Sequence, residues 1–234
     1  ERAPPPPEAA AAAASPSGDL PPLTVLGTGG TIASYVDYQT GAVHPAKSAE
    51  EIVAAVTSLT EIANIRAEAL LSLASEDMQP DDWSAIAKRV SELHAEDGAG
   101  VVIGHGTDTM AYSAAALSFM LGASERNVLF TGSQVPLGLP RSDAVAHLQA
   151  ALQLAAGPRL RNVGLVFNNR LLNGSRLRKV SSQQFPAFDT PNAAPLAELN
   201  IRPQLHTARL LGEETASRHP REAAALDFQP GAGA

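Results

Sequence analysis

Short apolar runs alternate with longer stretches of helical spacing along most of this chain. Residues 23–26, 65–73, 101–103, 128–130 and 163–167 are compact runs of Val, Ile, Leu and Phe, short enough for strands buried on both faces. Between them lie amphipathic segments. Trp83, Ile86, Val90 and Leu93 follow 3-4-3 spacing, residues 109–121 form an alanine-rich helix stopped by Gly122, and Val145, Leu148 and Leu152 line one face of a helix that begins at residues 141–143 and ends at Gly157. A shorter helix is predicted after Ser48, which forms a capping box with Glu51 and places Ile52, Val53 and Val56 on one face. Strand and helix in alternation predict an α/β fold with a doubly wound, mainly parallel sheet flanked by helices.

Polar residues gather where these strands should end. The first run opens into Gly27-Thr28-Gly29-Gly30-Thr31-Ile32, the second into Ala74-Ser75-Glu76-Asp77, the third into Gly104-His105-Gly106-Thr107-Asp108, and the fourth into Thr131-Gly132-Ser133-Gln134. A dinucleotide fingerprint would need a third glycine at Ile32, and a P-loop would need Gly-Lys-Ser/Thr, so the first turn fits neither. Its glycines instead allow a sharp turn that should lift the Thr28 hydroxyl clear of the sheet. Taken singly, Thr107 with Asp108, and Asp77 or Gln79, read equally well as helix caps. In a doubly wound sheet, however, all four ends lie on one edge, where separate loops converge on one crevice.

The remaining segments are less regular. Residues 34–45, with Tyr35 and Tyr38, lack periodicity and are expected to form a loop over the strand ends, a candidate lid. Residues 1–20, rich in Ala and Pro, are expected to be a disordered leader, and residues 201–234 a linker or tail. One α/β domain over 21–200 is therefore predicted.

Composition narrows the function. The chain carries 17 basic and 24 acidic residues, a formal charge of −7, which opposes a phosphate-binding surface and makes nucleic acid an unexpected partner. Its lack of cysteine excludes thiolate catalysis, and its six histidines show no H-E-x-x-H spacing, so no metal is expected. No stretch has the length of a membrane span or the layout of a secretory signal, and a cytoplasmic location is expected.

Several motifs, in order and spacing, resemble the bacterial-type L-asparaginases. They are Thr28-Gly-Gly-Thr-Ile-Ala33, Ser75-Glu-Asp-Met78, His105-Gly-Thr-Asp-Thr-Met110, Thr131-Gly-Ser-Gln134, and Lys179 followed by Phe188-Asp-Thr-Pro-Asn192. The resemblance covers roughly residues 23–200 and implies the fold of that family's N-terminal domain, with cofactor-free hydrolysis of L-asparagine, and of L-glutamine as a second candidate, to the acid and ammonia. It implies Thr28 as the nucleophile, Thr107, Asp108 and Lys179 as the group that activates hydroxyl or water, Ser75, Glu76 and Asp108 as holders of the amino-acid end, and Ser133 beside the side-chain amide. The chemistry is consistent with such roles, because a threonine needs a base to attack and a lysine enclosed in a crevice can accept a proton.

There are departures from the pattern. Glu76 stands where many members have glutamine, the lid tyrosine is unmatched because Ala42 takes its place, and the family's C-terminal domain is missing from the expected continuation. A homo-oligomer is implied where that domain is present. Two other functions stay open: an ammonia-releasing subunit of a tRNA-dependent amidotransferase, and a non-catalytic asparagine- or aspartate-binding domain.

Overall fold

The computed structural model describes residues 20–29, 34–36, 43–45, 63–96, 100–124, 126–137 and 139–211, with backbone alone for 34–36 and 43–45. The leader expected over residues 1–20 falls almost wholly outside the described residues, as do the Ser48 helix and residues 212–234.

Five strands make the parallel body of the sheet: β1 (Pro22–Gly29), β4 (Asn64–Leu73), β5 (Gly100–Gly104), β6 (Val128–Thr131) and β7 (Val163–Phe167). They lie side by side as β4, β1, β5, β6, β7, all parallel. The first strand thus has the second on one side and the third on the other, and at such a reversal the crevice opens beyond the carboxyl ends of β1 and β5. Gly27 is in register with Gly104 there, which brings the Thr28 turn next to the loop that carries Thr107.

The period-2 alternation of each strand divides the core into two layers. Leu26, Val101, Ile103, Val128, Phe130, Val163 and Leu165 point to one face, where they meet α1 (Pro80–Glu96) and α2 (Met110–Leu121). Leu23, Val25, Val102, Leu129 and Val166 point to the other, against α3 (Ala144–Ala156). The predicted stripe of α1 is present, with Ile86, Val90 and Leu93 fully buried. Trp83 is half-buried and donates its indole N–H to Ser113 Oγ at 2.8 Å. Gln79 precedes the helix, Pro80 occupies its first position, and the Asp82 carboxylate reaches back to accept from the Gln79 N–H at 2.8 Å, which satisfies an otherwise orphaned donor. On the outer side of β4, Arg89 donates to both oxygens of Glu68, at 2.8 and 2.9 Å, and to Glu96 at 2.8 Å, so that strand and helix are tied by charge as well as by packing.

Beyond β7 the chain reverses. Asn168 and Asn169, with φ of 45° and 57°, form a two-residue turn of the kind whose left-handed backbone matches strand twist, and β8 (Arg170–Asn173) returns antiparallel to β7. The sheet continues antiparallel through β11 (Ala197–Glu198) and β12 (Gln204–Leu205). A separate antiparallel pair, β9 (Arg178–Lys179) and β10 (Phe188–Asp189), presents Lys179.

Two expectations are corrected. Residues 34–45 are not an irregular loop throughout: β2 (Ser34–Val36) and β3 (Val43–Pro45) pair as an antiparallel hairpin. Nor does the tail begin at 201, because β12 joins the sheet and Leu205 and Leu210 pack against the core around α3. Both segments carry too few apolar residues for periodicity to register; the first is paired through its backbone, and the second is held by pairing together with the packing of Leu205 and Leu210.

Candidate functional site

The loop after β5 supplies the centre. Gly104 ends the strand, and the next residues run through His105 and Gly106 to Thr107, Asp108 and Thr109 before α2 begins at Met110. Thr109 occupies the N-cap position, yet no side chain caps this helix. The polar groups that a cap would use are engaged elsewhere. Thr109 Oγ1 donates to the Ser75 carbonyl at 2.6 Å, and the Asp108 backbone N–H donates to Ser75 Oγ at 3.2 Å. The simple helix-cap reading of Thr107 and Asp108 therefore does not hold.

Lys179 arrives from β9. Its Nζ donates to Thr107 Oγ1 and to Asp108 Oδ1, each at 2.8 Å, joining residues more than 70 positions apart in the chain. The lysine side chain is only 17% exposed while that of Asp108 is 63% exposed, so the carboxylate faces solvent and the lysine nitrogen sits behind it. Because the lysine donates to the Thr107 oxygen, that hydroxyl keeps its own proton for a further acceptor.

Thr28 lies at the end of β1 and is buried, with Oγ1 donating to the Gly104 carbonyl at 2.9 Å. Its hydroxyl is not lifted clear of the sheet, as the glycine-rich turn suggests, but folds onto the neighbouring strand end. Gly29, at φ 99°, takes a backbone conformation that a side chain would strain, and a Cβ there would overlap the Leu73 backbone. Ser75 is buried in a 3₁₀ turn, and Glu76 beside it is exposed. Ser133 is fully buried, and its hydroxyl has no hydrogen-bond partner. The structure thus joins Ser75, Thr107, Asp108 and Lys179 by direct bonds, places Thr28 on the adjacent strand end through Gly104, and leaves Glu76 and Ser133 without a bond to that group.

The β6 loop is pressed against the β5 loop at Gly132. A Cβ at this position would stand 2.5 Å from the His105 carbonyl oxygen and 2.5 Å from the Met110 methyl. Gly132→Ala is accordingly expected to lower stability by about 1–3 kcal/mol, the usual cost of overpacking against backbone, and to impair the site at the same time. Urea unfolding of the variant checks this, and a stability equal to the parent would show that the two loops are not in contact.

Two buried histidines join this region, His105 at the head of the motif over residues 105–110 and His147 outside every motif. His105 Nδ1 lies 2.7 Å from the Gly106 carbonyl, and burial pushes its imidazole down to about 4, opposed by that hydrogen bond. His147 sits on α3 four residues after Asp143, a helical spacing visible in the sequence. Among the described residues, no group of three His, Asp or Glu side chains is arranged to hold a metal ion, and no helix is long and apolar enough to cross a membrane. A concavity of about 320 Å³ opens at the opposite edge of the sheet, between Pro21, Gly100, Arg126 and Arg159, and includes none of the residues above.

With this geometry in hand, the comparisons with known proteins fall into one pattern. Residues 22–210 match the family described as "Asparaginase, N-terminal". A glutamyl-tRNA(Gln) amidotransferase subunit of Pyrococcus furiosus is 41% identical over 191 residues, covering 79% of this chain and 43% of that protein. Its namesake in Methanococcus maripaludis is 40% identical over 185 residues, covering 76% and 44%. Among solved structures, the thermostable L-asparaginase of Thermococcus kodakarensis superposes with a TM-score of 0.71 at 34% identity, covering 82% of this chain and 58% of that one. L-asparaginase I of Vibrio cholerae gives 0.74 at 37%, covering 84% and 58%. The chain spans less than half the length of the curated relatives it matches.

Proposed function

Since this chain belongs to the asparaginase family, we propose that its strand-end crevice hydrolyses the side-chain amide of a small amino acid, L-asparagine in the first instance, releasing ammonia through a threonine ester. The observation that carries the proposal is the Lys179 bridge to Thr107 and Asp108 at 2.8 Å each. A structural strand lysine has no need of two oxygens contributed by another loop.

In this reading Thr28 Oγ leaves the Gly104 carbonyl and attacks the amide carbon, its proton passing to a neighbouring base. The amide nitrogen takes up a proton and departs as ammonia, leaving an ester on Thr28. Thr107, handing its own proton to Lys179 in its neutral form, then takes a proton from the attacking water, and the proton held by Lys179 passes to Thr28 Oγ as the ester breaks and the acid is released. Asp108 is also the carboxylate placed to meet the substrate's α-ammonium, with Ser75 and Glu76 flanking that end and Ser133 near the amide. No step calls on a cofactor.

The identity to the amidotransferase subunits, 41% and 40% against 34% and 37% for the asparaginases of known structure, favours a second setting for the same chemistry. There the ammonia would feed amidation of a charged tRNA held by a partner. Supply to a partner predicts release that is slow alone and rises when the partner and aminoacylated tRNA are added, whereas free hydrolysis predicts full turnover without them. The acidic balance of the chain is in keeping with a tRNA contact made by that partner. The family resemblance further implies an additional C-terminal domain and a homo-oligomer in the complete enzyme. Tyr112 and Phe119, 68% and 71% exposed and seven residues apart on α2, give aromatic surface on the helix that follows Asp108, in keeping with an assembled protein.

Ammonia release from L-asparagine and L-glutamine is the direct assay. Lys179→Met keeps the aliphatic stem and removes both hydrogen bonds, and is expected to cut turnover by on the order of 10²–10⁴-fold, the range of a lost acid-base group. Turnover equal to the parent would mean that the lysine is structural. Binding of L-asparagine by calorimetry with no ammonia from any preparation would point instead to a binding domain.

A further inference from the structure

His147 is a buried polar group that the amide chemistry leaves unused. Its ring bridges two strand ends. Nδ1 lies 2.9 Å from the Gly132 carbonyl, and Nε2 accepts the backbone N–H of Asn168 at 2.9 Å. An amide N–H can only be a donor, so Nε2 must carry a lone pair, and the proton must sit on Nδ1 to meet the carbonyl. One tautomer of the neutral ring satisfies both contacts, and the doubly protonated ring satisfies only one of them.

The segment so held is gripped on both sides of Ser133. The Asp143 carboxylate accepts from the Gln134 N–H at 3.1 and 3.0 Å and from the Val135 N–H at 3.0 Å, while His147 takes Gly132. Gly132 is in turn wedged against the His105 carbonyl, two residues before Thr107. A shift of the imidazole would therefore move the wall of the crevice at Ser133 and its contact with the Thr107 loop together.

We propose that His147 is a positioning residue that works only as the neutral Nδ1–H tautomer, fixing Gly132 and Ser133 against the Thr107 loop, and that its protonation, which sets an Nε2–H against the Asn168 N–H, shifts the ring and with it this segment and weakens substrate binding. The inference rests on the reading of Ser133 as part of the substrate site. The groups around the ring are few. From its own helix Asp143 Oδ2 lies 3.5 Å from Nδ1, from the β6 loop comes the Gly132 carbonyl, and from β7 come the Phe167 ring at a centroid distance of 4.2 Å and the Asn168 amide. Of these only Asp143 titrates. Burial holds the imidazole below the ordinary histidine range, against the opposing pull of the Gly132 bond and the Asp143 charge. Both arms of the clamp are consequently intact at neutral pH, and the Asn168 arm is lost as pH falls through the lowered value.

The experiment uses the whole chain and two readouts. Nitrogen-15 spectra of the imidazole should show Nδ1 protonated and Nε2 bare at about pH 8. On acidification the amide resonances of Ser133, Gln134 and Asn168 should move with the same midpoint as the ring, below about 6.5. An Nε2–H tautomer, or amides indifferent to the titration of His147, overturns the proposal without reference to any substrate. The second readout is the affinity for L-aspartate, used as the probe, in the parent and in His147→Gln, whose amide does not titrate. Parent affinity should fall on the order of tenfold or more across that midpoint, and the variant should bind more weakly at neutral pH but without the acid-dependent loss. A variant that keeps the parent's pH profile also overturns the clamp. Should the spectra behave as expected while no preparation binds L-aspartate, the clamp stands and the amide-hydrolase reading fails.

Discussion

Thr28→Ala and Thr107→Ala should each lower ammonia release by on the order of 10⁴-fold, and the double variant should be little worse than either one. Non-additivity follows from the proposed mechanism. In the proposed mechanism the Thr28 hydroxyl and the Thr107-Lys179-Asp108 group would serve successive halves of one reaction, so that removing either would stop the cycle. The cost to the fold should be small by comparison. Thr28 loses one bond to the Gly104 carbonyl, worth about 1 kcal/mol net, and Thr107 loses the bond from Lys179. Turnover and urea midpoints measured on the same preparations separate the effects. Thr28→Ala with turnover near that of the parent would sink the ester mechanism, and two single losses that multiply in the double variant would mean that the threonines act independently.

Acid should destabilise the protein through His105 well before its carboxylates are protonated. The ring is fully buried against Phe130, at a centroid distance of 5.7 Å, with its Nδ1 on the Gly106 carbonyl and no partner at Nε2. In the folded chain it takes up a proton only near pH 4, against an ordinary value of 6.5 when unfolded. Between those values the unfolded chain binds the extra proton, so stability is complete above about 6.5, falls as pH drops towards 4, and levels off below. The difference amounts to about 3 kcal/mol, a large part of a typical domain's roughly 5–15 kcal/mol. Urea unfolding at several pH values between neutrality and about 4 measures the slope. His105→Asn, which can keep a donor near Gly106 without titrating, should flatten it, and an unchanged slope would assign the acid sensitivity to other groups.

The parallel core is readable in the sequence because burial on both faces leaves nearly continuous apolar runs at β1, β5, β6 and β7, while the edge strand β4 alternates buried Ile65 and Ala67 with Arg66 and Glu68. Strands β1, β4, β5, β6 and β7 are the runs expected, with ends shifted by a few residues. Most of the site is readable too, since Ser75, Thr107, Asp108 and Lys179 stand on strand ends or in a short strand and are drawn together by the topology. The shortest elements are illegible: β2 and β3 have three residues each, and β11 and β12 two each, too few for any period. The Thr28 hydroxyl departs from its expected position because the glycines beside it declare freedom of the backbone, while its acceptor, Gly104, belongs to a strand 76 residues away. Asp143 and His147 are legible as a spacing but not as a function. A carboxylate at a helix start reads as a cap, whereas this one turns to the amides of Gln134 and Val135.

The Asn168-Asn169 turn also bears on how the chain reaches this fold. It pairs β7 with β8 across two residues, whereas the parallel pairs join positions as remote as Leu23 and Gly100. A hairpin closes in microseconds, while distant parallel strands must first overcome the entropy of the long loops between them. The hairpin is therefore the natural early element, giving β6 an ordered edge on which to dock. The edge at β1 and β5 that carries the candidate site, which depends on the most distant of these pairings, would be among the last parts of the molecule to form.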